Sequence, residues 1–209
     1  MSQVLLSIDT SSGTAVALLV DGKPVSESYQ ENTMAHAEQI GVSIKQCLAS
    51  ANLKASDVTA VAVGVGPAPF TGLRVGIAAA KMFAEGVGVP IIGVSSLDAI
   101  AFDLELEKNT LVLTDARRSE VYFALYNGKS RAGVPKLVQG PGVQKRQELE
   151  QTLQSEGIEY QVVEARLKPA SLGLLALAQL SEGIKAAKPI ANYLRAPDAV
   201  PSPGKKVSG

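Results

Sequence analysis

The first residues whose types could do chemistry form a short polar segment near the N-terminus, Asp9-Thr10-Ser11-Ser12-Gly13. Apolar stretches flank it at residues 4–8 and 15–20, which predicts a loop at the tip of a strand hairpin. Backbone amides, small hydroxyls and an aspartate near a metal ion are the groups that hold nucleotide phosphates in such loops. The same residue types are also common in plain turns, and on local sequence alone we favour slightly a loop that binds nothing.

A second segment, residues 64–76, reads Gly-Val-Gly-Pro-Ala-Pro-Phe-Thr-Gly-Leu-Arg-Val-Gly. Its glycines permit backbone conformations that other residues avoid, its prolines stiffen the chain, and Thr71 is placed to cap a following helix. The segment is neither a Walker loop, which would end in Gly-Lys-Ser or Gly-Lys-Thr, nor a dinucleotide-binding fingerprint. Nothing in its chemistry requires catalysis.

Charged residues at 115–120, Asp-Ala-Arg-Arg-Ser-Glu, form a third candidate segment. The guanidinium groups of Arg117 and Arg118 suit phosphate or a partner's carboxylate. Glu120 could instead pair with Arg117 inside the chain, and we favour that internal pairing slightly.

The elements that position these segments follow from apolar periodicity. Strands at 4–8 and 15–20 continue, through the turn signal Asp21-Gly22, into a third strand that contains Val25 and Tyr29. The remaining predicted elements of the first half are a helix at 34–51, a strand at 58–65 inside the sheet, a helix at 73–86, a strand at 89–94 and a helix from Ser95 to about Asp103. This order is the plan of the ribonuclease-H-like lobe of actin, sugar kinases and heat-shock ATPases.

The second half is predicted to be a shortened copy of that lobe. Strands are expected at 111–114, 121–126 and 160–163, with helices at 144–154 and 170–182 and a turn at Asn127-Gly128. The sequence thus predicts an α/β, actin-like (ribonuclease-H-like, or ASKHA) fold with two lobes and mixed sheets flanked by helices. The expected divisions are residues 1–106, residues 107–195 and a flexible tail at 196–209, which contains three prolines.

The composition of the chain argues against some classes of function and location. The 209 residues carry 20 basic and 20 acidic side chains, a balance that argues against gripping a long nucleic acid through bulk charge. The single cysteine, Cys47, excludes an internal disulfide and fits a reducing compartment. The N-terminus lacks the pattern of a secretory signal, and no apolar run is long enough to span a bilayer, so we expect a cytoplasmic protein.

Four ordered segments together resemble the TsaB (YeaZ) family. Residues 64–76 resemble its Gly-x-Gly-Pro-Gly-Ser-Phe-Thr-Gly-x-Arg-x-Gly signature, with Ala68 and Pro69 where the family usually has glycine and serine. The other matches are Ile8-Asp9-Thr10-Ser11, residues 115–122 and Tyr193-Leu194-Arg195. Ser119 is a further departure, since glycine is common at that position of the family.

The resemblance implies a non-catalytic subunit in the synthesis of threonylcarbamoyladenosine at position 37 of tRNAs. Its implied partners are the catalytic relative TsaD and the ATPase TsaE, with a homodimer as an alternative and with tRNA reached only through the complex. TsaD relatives hold a metal with two histidines one helical turn apart. The only histidine here is His36, and Ile40 occupies the fourth position after it, so we expect neither metal nor cofactor and regard the Asp9 loop as vestigial.

In that family the helix before the signature and the helix after it pack against the same pair of helices in a partner. The sequence predicts a stripe of small residues and an apolar face on the second helix, more apolar surface than one lobe must cover. The alternative is that both faces lie against their own sheet. The predicted interface residues are His36, Ile40, Ile44, Leu48, Phe70, Thr71, Leu73, Arg74, Gly76, Ile77, Ala80 and Phe83.

Other classes of function stay open at this point. By fold analogy alone the chain could be a glycoprotease-like peptidase or an actin-fold ATPase, and a filament-forming protein of the actin kind is a third alternative.

Overall fold

A computed structural model describes residues 2–32 and 36–195 of the chain. The first half forms a five-stranded sheet with helices on both faces, as the apolar pattern predicts. Its elements are β1 (Val4–Asp9), β2 (Thr14–Val20), β3 (Lys23–Gln30), α1 (His36–Ser50), β4 (Ala60–Gly64), α2 (Phe70–Val87), β5 (Ile91–Val94) and α3 (Ser96–Phe102), with a short 3-10 turn at Ala55–Asp57.

The strand order of this first sheet is β3-β2-β1-β4-β5. β1 is antiparallel to β2 and parallel to β4, and every residue of β1 and β4 is buried. Strands buried on both faces have few positions for polar side chains, which explains their nearly continuous apolar sequences. α1 and α2 cover one face of this sheet.

The second half repeats this arrangement with one strand fewer. Its sheet has the order β8-β7-β6-β9, in which β6 is antiparallel to β7 and parallel to β9, as β1 is to β2 and β4. The elements are β6 (Thr110–Asp115), β7 (Glu120–Lys129), β8 (Pro135–Lys145), α4 (Arg146–Ser155), β9 (Gln161–Glu164) and α5 (Pro169–Ser181). The predicted shortened copy is confirmed.

The two sheets share one hydrophobic core. α3 and α5 lie in it, and α5 contacts β1 and β2 of the first sheet rather than covering only its own. A hydrogen bond from the hydroxyl of Ser7 on β1 to the carbonyl of Pro169 on α5, 2.8 Å long, crosses between the halves. This shared core fixes how the loops at the ends of β1 and β6 face each other.

The second half also contains the largest error of the sequence prediction. The predicted turn at Asn127-Gly128 is wrong, because β7 continues to Lys129 and the chain reverses after it. Gly128 has a φ of 76°, and it lies where the register between β7 and β8 shifts. A glycine with a positive φ is compatible with an irregularity inside a strand as well as with a turn. The prediction also missed β8 altogether.

Smaller differences concern helix ends and the chain termini. Thr71 was expected to cap α2, but α2 begins at Phe70 after Pro69, and Thr71 lies inside its first turn. The predicted helix from Ser95 is confirmed as α3, and the Ser95 hydroxyl caps it by accepting the Asp98 amide proton. The predicted start of α1 at Met34 and the predicted tail at 196–209 fall outside the described residues. Within the described part of the chain, no helix is long and apolar enough to cross a membrane.

Candidate functional site

The Asp9 carboxylate lies buried at the end of β1, and each of its oxygens accepts a hydrogen bond from within the chain. Its Oδ1 accepts hydrogen bonds from the Ser11 amide at 2.7 Å and the Ser11 hydroxyl at 2.5 Å. Its Oδ2 accepts one from the Ser96 hydroxyl at 2.6 Å. Both oxygens therefore act as internal acceptors that tie the β1–β2 loop to α3.

Gly64, at the end of β4, packs directly against this carboxylate. A Cβ added to Gly64 would lie 1.8 Å from Asp9 Oδ2. No side chain fits at that distance, so the close approach of β4 to Asp9 requires glycine.

Small residues on α2 accommodate the same loop. The Thr10 hydroxyl donates a 2.9 Å hydrogen bond to the Gly72 carbonyl, and a Cβ at Gly76 would lie 2.1 Å from Thr10 Oγ1. This corrects the interpretation of the small-residue stripe. It lets the chain's own β1–β2 loop approach α2, where we had predicted the approach of another helix.

His36, the first described residue of α1, is buried beside this loop. Its Nδ1 lies 2.9 Å from the Thr14 hydroxyl, and its ring faces Gly72 on α2. Burial lowers the pKa of His36 below its ordinary value of 6.5, and the negative charge of Asp9 opposes this only in part. The imidazole is thus held neutral as part of the loop's packing.

The lowered pKa of His36 gives an expected pH dependence. The unfolded chain binds the proton at higher pH than the folded chain, so the free energy of unfolding must decrease as the pH falls through 6.5 towards the folded pKa. The decrease is at most about 1.4 kcal/mol per pH unit. Since His36 is the only histidine, His36→Gln should flatten the profile in this range. Urea unfolding between about pH 7.5 and about pH 5.5 measures it, and an unchanged slope in the variant would refute it.

An open cleft of about 830 Å³ lies between the two sheets. The β1–β2 loop, the first turn of α2, the β6–β7 loop and the segment after β9 form its walls. Its lining residues are Thr10, Ser11, Ser12, His36, Pro69, Phe70, Thr71, Gly72, Arg74, Leu113, Thr114, Asp115, Ala116, Arg117, Tyr122, Glu164, Ala165, Arg166 and Arg195. The structure therefore brings three of the four segments of the family resemblance to one place, together with the last residue of the fourth.

The β6–β7 loop repeats the design of the β1–β2 loop. Asp115 ends β6 as Asp9 ends β1, and its Oδ1 accepts the amide proton of Arg117, two residues on, at 2.8 Å. Arg117, Arg118 and Ser119 all have φ values between 55° and 63°, a left-handed run of three exposed residues. The sequence predicted a loop between strands at 115–120 but did not show that it matches the β1–β2 loop, although its position in the repeated lobe was a usable signal.

The expected pairing of Arg117 with Glu120 is wrong. Glu120 is paired instead with Arg195, whose Nη2 lies 3.3 Å from Glu120 Oε2 and whose Nη1 donates to the Ala116 carbonyl at 3.0 Å. The competing residue comes from a distant part of the chain, so local spacing could not show it. This pair attaches the C-terminal Tyr193-Leu194-Arg195 segment to the β6–β7 loop.

The same C-terminal segment also contacts α2. The Phe70 and Tyr193 rings stack with centroids 4.8 Å apart, and the Arg74 guanidinium lies over both rings and donates to the Tyr193 hydroxyl at 2.9 Å. Two predicted interface residues, Phe70 and Arg74, are therefore part of an aromatic and cationic cluster at the mouth of the cleft.

Most of the predicted interface residues on α1 and α2 lie in the chain's own core, on faces that cover their own sheet. Gly76 and His36 are buried under the β1–β2 loop. The other buried members are Ile40, Ile44, Leu73, Ile77 and Ala80. Leu48, Phe70 and Phe83 are half-buried, and Thr71 and Arg74 are exposed. Only these five present surface to a partner.

Comparisons with known proteins agree with this architecture. Residues 30–162 match the family model described as TsaD: tRNA N6-adenosine threonylcarbamoyltransferase. A solved structure, YeaZ from Pseudomonas aeruginosa, has a TM-score of 0.74 and 24% identity over 92% of this chain and 100% of that one, which shows a shared fold.

Curated relatives include the tRNA threonylcarbamoyladenosine biosynthesis proteins TsaB of Haemophilus influenzae and Escherichia coli. They are 39% and 35% identical, over 57% and 58% of this chain and 52% and 54% of theirs. An uncharacterized protein of Mycobacterium tuberculosis is 43% identical over 58% of each chain. The chain thus spans about half the length of the curated relatives it matches. The match to the TsaD family model, the named relatives and the solved structure show that this chain has an actin-like fold and belongs to the TsaB (YeaZ) family.

Proposed function

We propose that this chain is a non-catalytic subunit in tRNA threonylcarbamoyladenosine biosynthesis, which acts in the cytoplasm by binding a TsaD protein. A TsaE protein joins the complex, and tRNA is contacted only through it. The names of the TsaB relatives and the match to the TsaD family model support this role. The engagement of both Asp9 oxygens within the chain also supports it, because a catalytic carboxylate must be available to metal or substrate.

The outward face of α1 and α2 is the observation that carries the proposal. Val42 on α1 is 48% exposed and Met82 on α2 is 77% exposed, although both are large and apolar. A Cβ added at Gly41 or Gly86 would touch nothing in the chain, so small residues leave open space on the same helices. Exposed apolar side chains next to open surface are typical of a protein interface.

The proposed partner face therefore differs from the predicted one. It keeps the five predicted residues that are at least partly exposed and adds three exposed residues on the outer sides of the two helices. Its members are Val42, Leu48, Phe70, Thr71, Arg74, Ala78, Met82 and Phe83. Helices α1 and α2 contact each other, so a related pair of helices, in TsaD or in a second copy of this chain, can cover both at once.

The test substitutes the exposed apolar residues on this face. Met82→Glu and Val42→Glu should each weaken binding to a TsaD protein of the same organism by at least about tenfold, because each places a charge in an apolar contact. Isothermal titration measures the affinity. Both positions are exposed, so the unfolding free energy should change by no more than about 0.5 kcal/mol.

Val138→Glu provides the matched control. Val138 is 55% exposed, but it lies on the edge strand β8, away from α1 and α2. Its substitution should leave TsaD binding unchanged. The partner role is refuted if the unmodified chain does not bind TsaD, and the partner face is refuted if Val138→Glu weakens binding as much as Met82→Glu does.

The enzymatic alternatives have a separate test. An actin-fold ATPase would hydrolyse ATP with magnesium in the absence of any partner, and a peptidase would cleave a peptide substrate. We expect neither activity from the isolated chain. If the isolated chain hydrolyses ATP continuously and Asp9→Asn abolishes that activity, the chain is an ATPase and the proposed role is wrong.

A further inference from the structure

The chain after α5 runs along the edge of the first sheet at residues 187–193, which we call the edge segment. The Gly93 amide on β5 donates to the Ala187 carbonyl at 2.9 Å, and the Asn192 amide donates to the Val65 carbonyl at 2.8 Å. A Cβ added at Gly93 would lie 2.5 Å from a backbone oxygen of this segment, so the glycine permits the close approach. Hydrogen bonds near both of its ends therefore hold the edge segment against the sheet.

A groove of about 320 Å³ lies between the edge segment and α2. Its lining includes Arg74, Ala78 and Lys81 on α2 and Pro189, Ile190 and Tyr193 on the edge segment. The volume is at the lower end of the range of pockets that enclose ligands, roughly 300–1,000 Å³. The residues that dominate protein interfaces often fill small pockets on their partner, and a groove of this size suits one such anchoring side chain.

The two most exposed large apolar side chains in the described part of the chain lie at this groove. Ile190, which lines it, is 63% exposed, and Met82, which follows the lining residue Lys81, is 77% exposed. Arg74 and Ala78 line the groove and also belong to the proposed partner face. The groove thus continues that face from α2 onto the edge segment, and contiguous exposed apolar surface of this kind is typical of an interaction site.

The charges at the groove indicate the chemistry of its occupant. The two charged side chains among its lining residues, Arg74 and Lys81, are both cations. The acidic residue of α2, Glu85, lies one helical turn beyond Lys81 and outside the lining. An apolar groove with cations at its rim is complementary to an apolar side chain that has a carboxylate beside it.

Arg74 is already oriented for such a carboxylate. Its Nε donates to the Tyr193 hydroxyl at 2.9 Å, and its guanidinium lies 5.5 Å from the Phe70 ring centroid and 5.4 Å from that of Tyr193. The bond to Tyr193 uses one of the five N–H donors of an exposed guanidinium. An arginine whose conformation is fixed before binding loses less entropy when it pairs with a partner.

We propose that the groove between α2 and the edge segment receives a large apolar side chain of the TsaD protein, beside a carboxylate of that protein that pairs with Arg74 and Lys81. This inference rests on the proposed function and extends the partner face beyond the two helices. It also gives Tyr193 a role, because this residue positions Arg74 and forms part of the groove wall.

The test measures the affinity of the full chain for TsaD by isothermal titration. Ile190→Ser and Lys81→Glu should each weaken binding by about tenfold, because the first removes an apolar contact and the second repels the carboxylate. In about 0.5 M salt the effect of Lys81→Glu should shrink to about threefold or less, since salt screens exposed charges, whereas Ile190→Ser should keep its full effect. Both side chains are exposed, so neither substitution should change the thermal midpoint of the isolated chain.

Leu180→Ser and Lys108→Glu are the matched controls. Leu180 is 41% exposed in the last turn of α5, a helix that packs on the opposite face of the first sheet from α1 and α2. Lys108 is exposed in the second half of the chain, just before β6. Neither substitution should change TsaD binding. Equal weakening by Lys108→Glu and Lys81→Glu overturns the proposal, because that result indicates diffuse attraction between the two proteins.

The outcomes separate failure of the groove from failure of the proposed function. If TsaD binds the unmodified chain and Met82→Glu weakens that binding while Ile190→Ser does not, the groove assignment is wrong and the partner role stands. If TsaD does not bind the unmodified chain, both are wrong. If Ile190→Ser leaves TsaD binding intact but disrupts self-association in sedimentation equilibrium, a second copy of the chain occupies the groove, which also overturns the proposal.

Discussion

Gly76→Ala is expected to lower the free energy of unfolding by about 2–3 kcal/mol, although alanine favours helices over glycine by about 1 kcal/mol. The added Cβ would lie 2.1 Å from Thr10 Oγ1, 3.0 Å from Thr10 Cγ2 and 3.1 Å from Thr10 Cβ. Thr10 is buried and bonded to the Gly72 carbonyl, so it cannot move aside without losing that bond. Urea unfolding measures the change.

Gly86→Ala is the matched control on the same helix. Nothing lies within 4 Å of a Cβ at Gly86, so the substitution should raise stability by up to about 1 kcal/mol. A second test uses Thr10→Ala, which removes the two closest clashing atoms. In that background Gly76→Ala should cost clearly less. If the cost is the same in both backgrounds, the close approach of Thr10 does not explain the glycine.

This result also bears on the partner role. A bulky residue at Gly76 would disrupt TsaD binding by unfolding the β1–β2 loop, even if a partner never touches that position. Met82→Glu separates the two effects, because its side chain is exposed and its loss should leave stability unchanged.

Tyr126→Phe is expected to cost about 2 kcal/mol at neutral pH. The buried Tyr126 hydroxyl donates a 2.6 Å hydrogen bond to Asp98 Oδ1, which joins β7 to α3 across the shared core. Burial raises the pKa of the Asp98 carboxyl above its ordinary value of 3.8, while the bond from Tyr126 lowers it in part. Without that bond the ionised carboxylate loses its main compensation.

The pH dependence of this cost follows from the same shift. The folded chain holds the Asp98 proton more tightly than the unfolded chain, so stability falls as the pH rises from 3.8 to the folded pKa. Removal of the tyrosine hydroxyl raises that folded pKa further. The difference between Tyr126→Phe and the unmodified chain should therefore be larger near pH 7 than near pH 4, as denaturant unfolding at both values would show.

Two controls accompany this prediction. Tyr160→Phe removes a hydroxyl from a half-buried ring beside the core under α4 and should change stability by no more than about 0.5 kcal/mol. In an Asp98→Asn background, where no charge is buried, Tyr126→Phe should cost less and show little change with pH. A cost independent of pH in the original background would contradict the role of Asp98.

The strand that the sequence did not predict shows a limit of local patterns. β8 contains Pro135, Gly140, Pro141 and Gly142, residues that normally indicate a loop, and its exposed side chains follow no regular alternation. Pairing with β7 is what makes this segment a strand. That pairing depends on residues outside the segment, so a local window cannot contain the information.

The sequence by itself determined the order of the elements, the repeat of one lobe in the other and the family, because apolar periodicity and the glycine-rich signature are local properties. Only the tertiary structure decided what the small residues of α2 contact, which carboxylate pairs with Arg195, and which faces of α1 and α2 remain exposed. Periodicity shows that a helix has an apolar face but not what covers it. The exposed faces of α1 and α2 and the cleft between the two sheets are formed by residues that only folding brings together.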